Sequence, residues 1–498
     1  MKHLSVCMLA LTLLASGLCA CGAEDTADTV QTTAIPVSTT TDAAEETTAA
    51  PQLELVPQDF GGIDFTFFGV DPNSRQDWTV NTYSETVSEG ETGEAISDAI
   101  YRRNLELEEL YNIHIKEEST TREDVGKTAL KVILAGDDAY QVVNLTGISA
   151  SGLLNNPEAL YNLYDISTLD LSHSWWDQNS MDAFTINGKL YNVVGDMNIR
   201  SFFSSVVLMM NKQMIETYDL ENPFDLVRDG TWTMDKMITL AAAVTSDLDG
   251  DGKLGLADTV GFFGETTTGH WGLNSMGVNT VTNIDGTPQI TLYSERAVDA
   301  LTKYVNLLRG GEYAIFANDI SSQYAGENIW YSRMMPMLMN NQLLFYNHYL
   351  GSSLDLRSMK SDFGIIPMPK YDEAQETYYS ATHPCYVSFM TIPATNQNPE
   401  QTGTVMEAMN ALSSAYVVPA IYETTLVGKV IRDTESEEML DIIFANRVYD
   451  IGYIFDWGGV SNFASSLVNK NSTDFVSAYT KQESKIQKDI DKYLEANT

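Results

Sequence analysis

From Ile63 onward, short apolar runs alternate with stretches in which apolar residues recur every three or four positions. "IDFTFFGV" (Ile63–Val70) has the composition of a buried strand. Ile96, Ile100, Leu107 and Leu110 then share one face of a helix over "ISDAIYRRNLELEELYN". "IHIKEE" alternates with the two-residue period of a strand, "TREDVGKTALKVILAGDD" predicts a capped helix, and "YQVVNL" another strand. The alternation returns in the second half. "SVVLMMN" (Ser205–Asn211) predicts a strand, "TMDKMITLAAAVT" a helix, and "SERAVDALTKYVNLLRGG" a helix stopped by glycine. "MMPMLMN" and "FGIIPMP" read as further strands, and an amphipathic helix starts near Thr473. Strands alternating with helices predict an α/β layered architecture.

The first 57 or so residues break this pattern. Lys2 precedes an apolar run from Leu4 to Leu18, which is an export signal and too short for a stable membrane span. "LCAC" resembles a bacterial lipobox through Leu18, Ala20 and Cys21. That resemblance implies cleavage before Cys21 and attachment of a diacylglyceryl group to its sulfur; plain secretion is the alternative. Gly22 to about Pro57 is rich in Thr, Ala, Glu and Asp, and predicts a solvated tether. No later apolar run approaches membrane length.

The formal net charge of -39 excludes a nucleic-acid binder and electrostatic adhesion to anionic lipid. Of the four cysteines, Cys7 and Cys19 would leave with the signal, and Cys21 would be acylated if the lipobox resemblance holds. Cys385 alone would then remain, so the mature chain would have no intramolecular disulfide. No histidine pair has metal-ligand spacing, and no nucleophile elbow, P-loop or zinc motif is present.

Four stretches carry a family resemblance. They are "NGKLYNVVGDMN" followed by "VVLMMNKQMIE"; "NPFDLVRDGTWTMDKMITLAAAVT"; "SRMMPMLMNN"; and "DFGIIPMPKYDEAQ" with "YVSFMTIPATNQNPEQTGTVMEAMNAL". In order and spacing the chain resembles extracellular solute-binding proteins of ABC importers, in the maltose-binding-like, sugar-binding branch. The resemblance implies an α/β, two-lobed periplasmic-binding-protein-like fold of type II with hinge crossing strands. Its expected parts are a signal peptide (1–20), a lipidated tether (21–58), a first lobe (59–204 with about 343–390) and a second lobe (about 205–342 with 391–498). It implies "SRMMPMLMNN" as a crossing strand and "DFGIIPMPK" as a first-lobe strand.

The implied function is capture of a carbohydrate, an oligosaccharide in most of the branch, and delivery to ABC permease subunits. The protein would be a monomer held by its lipid anchor at the outer face of a bacterial cell membrane. Asp196 matches an acidic ligand contact in sugar-binding relatives, or caps its own turn. Trp271 falls at a second-lobe cleft aromatic, and Trp457 near a late cleft tryptophan or in the core. Trp78 and Tyr386 complete the expected ligand set. Trp175, Trp176, Trp232 and Trp330 read as packing residues. The alternatives are an exported calcium-stabilised carbohydrate-active enzyme, which needs two carboxylates facing across a cleft, and a binding protein for another solute such as a peptide.

"DLDGDGKLGLAD" fits a calcium-loop template. Asp247, Asp249 and Asp251 occupy positions 1, 3 and 5, Gly252 the sharp turn, Lys253 the carbonyl position, and Asp258 position 12 in place of glutamate. A helix enters the loop and a strand leaves it, so it reads as a structural Ca2+ staple within one lobe and not as a helix-loop-helix sensor.

Overall fold

Nine strands build two main sheets: β1 (Ile63–Val70), β2 (Ile113–Thr120), β3 (Val142–Thr146), β4 (Val206–Asn211), β5 (Val260–Gly264), β6 (Ala314–Phe316), β7 (Leu343–Tyr349), β8 (Phe363–Ile366) and β9 (Ser388–Thr391). The first sheet runs β9-β3-β1-β2, with β1 parallel to β2 and β3, and β9 antiparallel to β3. The second runs β8-β4-β7-β5-β6. Here β5 is parallel to β6 and β7, while β4 is antiparallel to both of its neighbours. The computed structural model describes residues 55–74, 78–424 and 434–497, all within one compact unit, Leu53–Thr498. The signal run, Cys21 and nearly all of the tether lie outside the described residues.

The local structure follows from the side chains. β4 and β7 are buried at every position, which accounts for their unbroken apolar runs. β2 lies at a sheet edge and alternates buried with exposed residues over its first half. The helix Ala95–Tyr111 buries Ile96, Ile100 and Leu107 and ends on Asn112 in the left-handed conformation. The helix Met234–Val244 starts at Thr233, whose hydroxyl accepts the Lys236 N–H. It packs against β5 closely enough that a Cβ on Gly261 would stand 2.3 Å from the Ala241 Cα. Glycine is therefore required there for the helix to meet the sheet.

Each sheet anchors a lobe, and short pairings tie together the segments that pass between them. Ser205 bridges Thr382, and Ser380–Ala381 pairs in parallel with Arg447–Val448. Several expectations need correction. β7 and β8, assigned by sequence to the first lobe, pair within the second sheet. Their hydrogen-bonding partner is β4, far away in the chain, and local pattern carries no record of it. Conversely, the helix Pro399–Tyr422, assigned to the second lobe, lies on the first. Its Ser413 accepts from Arg103, and its Tyr416 hydroxyl bonds Glu106, both on the helix Ala95–Tyr111. The run containing "MMPMLM" is helical, with the α-helix Met335–Met339 following a wider turn. Met334, Met335 and Leu338 are buried there, and Pro336 sits in the first turn, where its missing N–H costs nothing.

Candidate functional site

The carboxyl ends of the parallel strands in both sheets open toward one another. Trp78 comes from the loop after β1, Arg122 from just beyond β2, and Glu265 and Thr267 from just beyond β5. His348 and Tyr349 end β7, Asn328 and Trp330 follow β6, and His383, Cys385 and Tyr386 precede β9. Together they enclose a cavity of about 190 Å³. Open α/β sheets place ligand sites at this end of their strands. A larger hollow of about 570 Å³ lies beside Trp457 and the C-terminal helix Phe475–Ala496, but it does not gather the strand ends of the two sheets.

Rings form much of the cavity wall. Trp78 lies 5.0 Å from His348 and 5.4 Å from Tyr331. Tyr349 and Tyr386 stack at 4.2 Å, and His383 stands 4.9 Å from Tyr386. Arg122 covers the Tyr386 ring at 5.6 Å and gives its Nε to Glu123. Several titratable groups of the wall are buried and respond accordingly. Burial pushes the Glu265 carboxyl up to about 7, against the Thr267 N–H that donates to it. Burial pulls His348 down to about 3. It also lowers His383 well below the ordinary imidazole range, with help from His348 and Arg122. Both imidazoles are therefore neutral near pH 7. His383 Nδ1 accepts the Cys385 N–H, which leaves its proton on Nε2.

The structure divides the expected ligand set. Trp78 and Tyr386 line the cavity. Trp271 is 1% exposed and stands behind the wall, 5.0 Å from His383. Asp196 is not part of the lining; it lies beside Ser414, Arg447 and Asp177, and burial pushes its carboxyl up to about 7. Trp457 is a core residue: it stacks on Phe455 at 4.6 Å, and its indole N–H donates to Asn155. Trp330, read from sequence as packing, lines the cavity and is half-buried. Trp232 and the pair Trp175 and Trp176 are buried, with their indole N–H groups on Pro367 O and on Glu407. Arg122, Glu265, His348, Tyr349 and His383 escaped the sequence reading because no motif marks them. Arg122, Glu265 and Tyr349 do sit at or just past the end of a strand, and that position was the available signal.

No protein-family model matches the sequence, and no curated protein matches it. Solved structures do match. An ABC substrate-binding protein of Listeria monocytogenes in complex with cycloalternan is 17% identical with a TM-score of 0.54, covering 86% of this chain and 98% of that one. The chain has the fold of ABC-transporter solute-binding proteins. A solute-binding protein of Thermotoga lettingae bound to α-D-tagatose gives 12% identity and a TM-score of 0.51, covering 86% and 100%. UgpB of Mycobacterium tuberculosis in complex with glycerophosphocholine gives 17% and 0.54, covering 82% and 99%. The cavity is lined from both sheets, by Trp78 and Arg122 beyond strands of the first and by Glu265, His348 and Tyr349 at strand ends of the second.

The acidic loop lies elsewhere, between the helix Met234–Val244 and β5. Carboxylate oxygens of Asp247, Asp249 and Asp258 lie within 4.8 Å of one another. Asp258 is fully buried and accepts the Leu248 and Gly255 N–H groups. Asp247 accepts from Gly252 and Gly250, and these bonds hold its carboxyl below the ordinary range. Asp251 is not in this cluster and accepts the Lys253 N–H. Gly250 and Gly252 adopt φ of +76° and +79°, which lets the loop wrap inward. Clustered, hard oxygen donors fit a calcium-type cation.

Proposed function

We propose that the chain is the substrate-binding component of an ABC importer, closing its lobes over a carbohydrate and presenting it to a membrane permease. The observation that carries this reading is the cavity at the strand ends of both sheets, with Trp78, Trp330, Tyr349 and Tyr386 in its wall. Sugar C–H faces pack on aromatic rings, while Glu265, Asn328 and Arg122 offer partners for hydroxyls. Residues from both lobes line the site, so a bound solute favours the closed arrangement over the open one. Binding without hydrolysis is supported by the lining, which includes one carboxylate among the described residues where a glycosidase needs two. The bound sugars of the matched structures, cycloalternan and tagatose, favour the same class.

The remaining parts of the proposal rest on sequence and local geometry. A thioether-linked lipid on Cys21 and the acidic tether hold the domain at the outer face of the cell membrane, near its permease. Asp247, Asp249 and Asp258 hold a calcium ion that pins the connection into β5. The test is a panel of mono-, di- and oligosaccharides on purified protein, scored for thermal stabilisation and for product. Saturable stabilisation without turnover supports the reading. Hydrolysis of a glycan, or stabilisation by peptides alone, overturns it.

A further inference from the structure

Glu265 is the one acidic side chain in the cavity wall among the described residues, and its charge is not balanced there. It is 5% exposed. Oε2 accepts the Thr267 N–H at 2.9 Å, and the Glu265 backbone N–H and carbonyl are both tied to the Thr268 hydroxyl. No ion pair reaches it among the described residues. Arg122, the one cation in the wall, has Glu123 as its own counter-charge at 2.8 Å and lies over Tyr386. A buried carboxyl with no cationic partner tends to keep its proton, and an ammonium placed beside it favours the ionised form. The rest of the wall favours the same occupant. Faces of Trp and Tyr attract a cation within about 6 Å of the ring centre, and Trp78 and Trp330 border this space, whereas Tyr386 already stacks on Tyr349 and carries Arg122. Size narrows the class further. A cavity of about 150 Å³ accepts a benzene ring, and this one measures about 190 Å³. One substituted six-membered ring fills this space, which opens to solvent on one side.

We propose that the cleft takes a single-ring amino sugar, its ammonium on Glu265 and its C–H face against the aromatic wall. This rests on the carbohydrate reading above. The probes are glucosamine, its neutral counterparts glucose and N-acetylglucosamine, and maltotetraose, each titrated calorimetrically into the full-length protein at neutral pH. Glucosamine is expected to bind at least about tenfold tighter than glucose, or about 1.4 kcal/mol. In Glu265→Gln that preference is expected to collapse below about threefold. Equal or tighter binding of glucose or N-acetylglucosamine overturns the proposal on the unaltered protein, whether or not the variant folds. So does a preference that survives in Glu265→Gln. Binding of maltotetraose alone overturns the single-ring amine while leaving the carbohydrate reading intact. Binding of none of the four overturns this proposal and removes support from that reading as well.

Discussion

Arg447 joins the lobes' crossing segments to the first lobe, and its removal is a sharp test of what holds that junction. Its guanidinium lies 2.6 Å from Asp177, with side-chain exposures of 10% and 5%. It sits over the rings of Phe202 and Phe444, at 5.1 and 5.7 Å. Asp177 also accepts the Tyr449 hydroxyl and the Ser180 N–H that starts the helix Gln178–Phe184. In Arg447→Met the methionine fills much of the space between the rings, so the main loss is the counter-charge of a buried aspartate. Breaking such a pair from one side costs about 3–5 kcal/mol. For a chain of this size, about 2 °C of melting temperature accompanies each kcal/mol, which predicts a fall of about 6–10 °C by calorimetry. Replacing both partners, Asp177→Asn with Arg447→Met, removes the stranded aspartate of the pair, with Asp196 beside it holding its proton, and should restore at least half of that loss. A fall below about 2 °C in the single variant, or simple additivity in the double one, would show that the pair is not what secures the junction.

Three other outcomes are expected. Trp78→Ala and Trp330→Ala should each weaken solute binding by about 10–30-fold, as loss of a buried aromatic contact does; Trp457→Ala should lower the melting temperature and leave affinity nearly unchanged, as fluorescence titration beside thermal melts would show. Excess EGTA should lower the melting temperature of the calcium-loaded protein, and Asp258→Asn should shrink that difference; identical curves with and without chelator would count against an ion among Asp247, Asp249 and Asp258. Asp196 and Glu265 both hold their protons more tightly folded than unfolded, with carboxyls raised to about 7. Their contribution to stability is therefore complete below the ordinary carboxylate range and is lost as pH rises through about 7. Chemical denaturation across that window should show the decline, and Asp196→Asn should flatten it.

Much of the secondary structure was legible because burial leaves a mark in composition. Phe65, Phe67 and Phe68 on β1, and the entirely buried β4, announce strands without any knowledge of their partners. The helix around Pro336 did not, because a short buried apolar run looks the same in either conformation. Lobe membership was partly misread for a different reason: β8 belongs with β4 through backbone hydrogen bonds, which carry no sequence signature. The clustering of Asp247, Asp249 and Asp258 was legible from spacing, whereas Asp251, expected beside them, turns to the Lys253 N–H instead. The cleft was not, since its wall consists of single residues such as Glu265, Trp330 and His348, contributed by separate loops and meaningful only once the strand ends converge.

The pairing of β9 with β3 has a consequence for how the chain is made. The first sheet takes its last strand from Ser388–Thr391, although its other three strands are complete by Thr146. The second sheet waits on β8, and the helix Pro399–Tyr422 covers the first lobe later still. Neither lobe can reach its final form while the chain is being synthesised up to that point, and such long-range pairing slows folding. Each sheet is thus completed by a strand from the last third of the chain, so a truncation before Ser388 leaves β3 with an unpaired edge open to association with other strands.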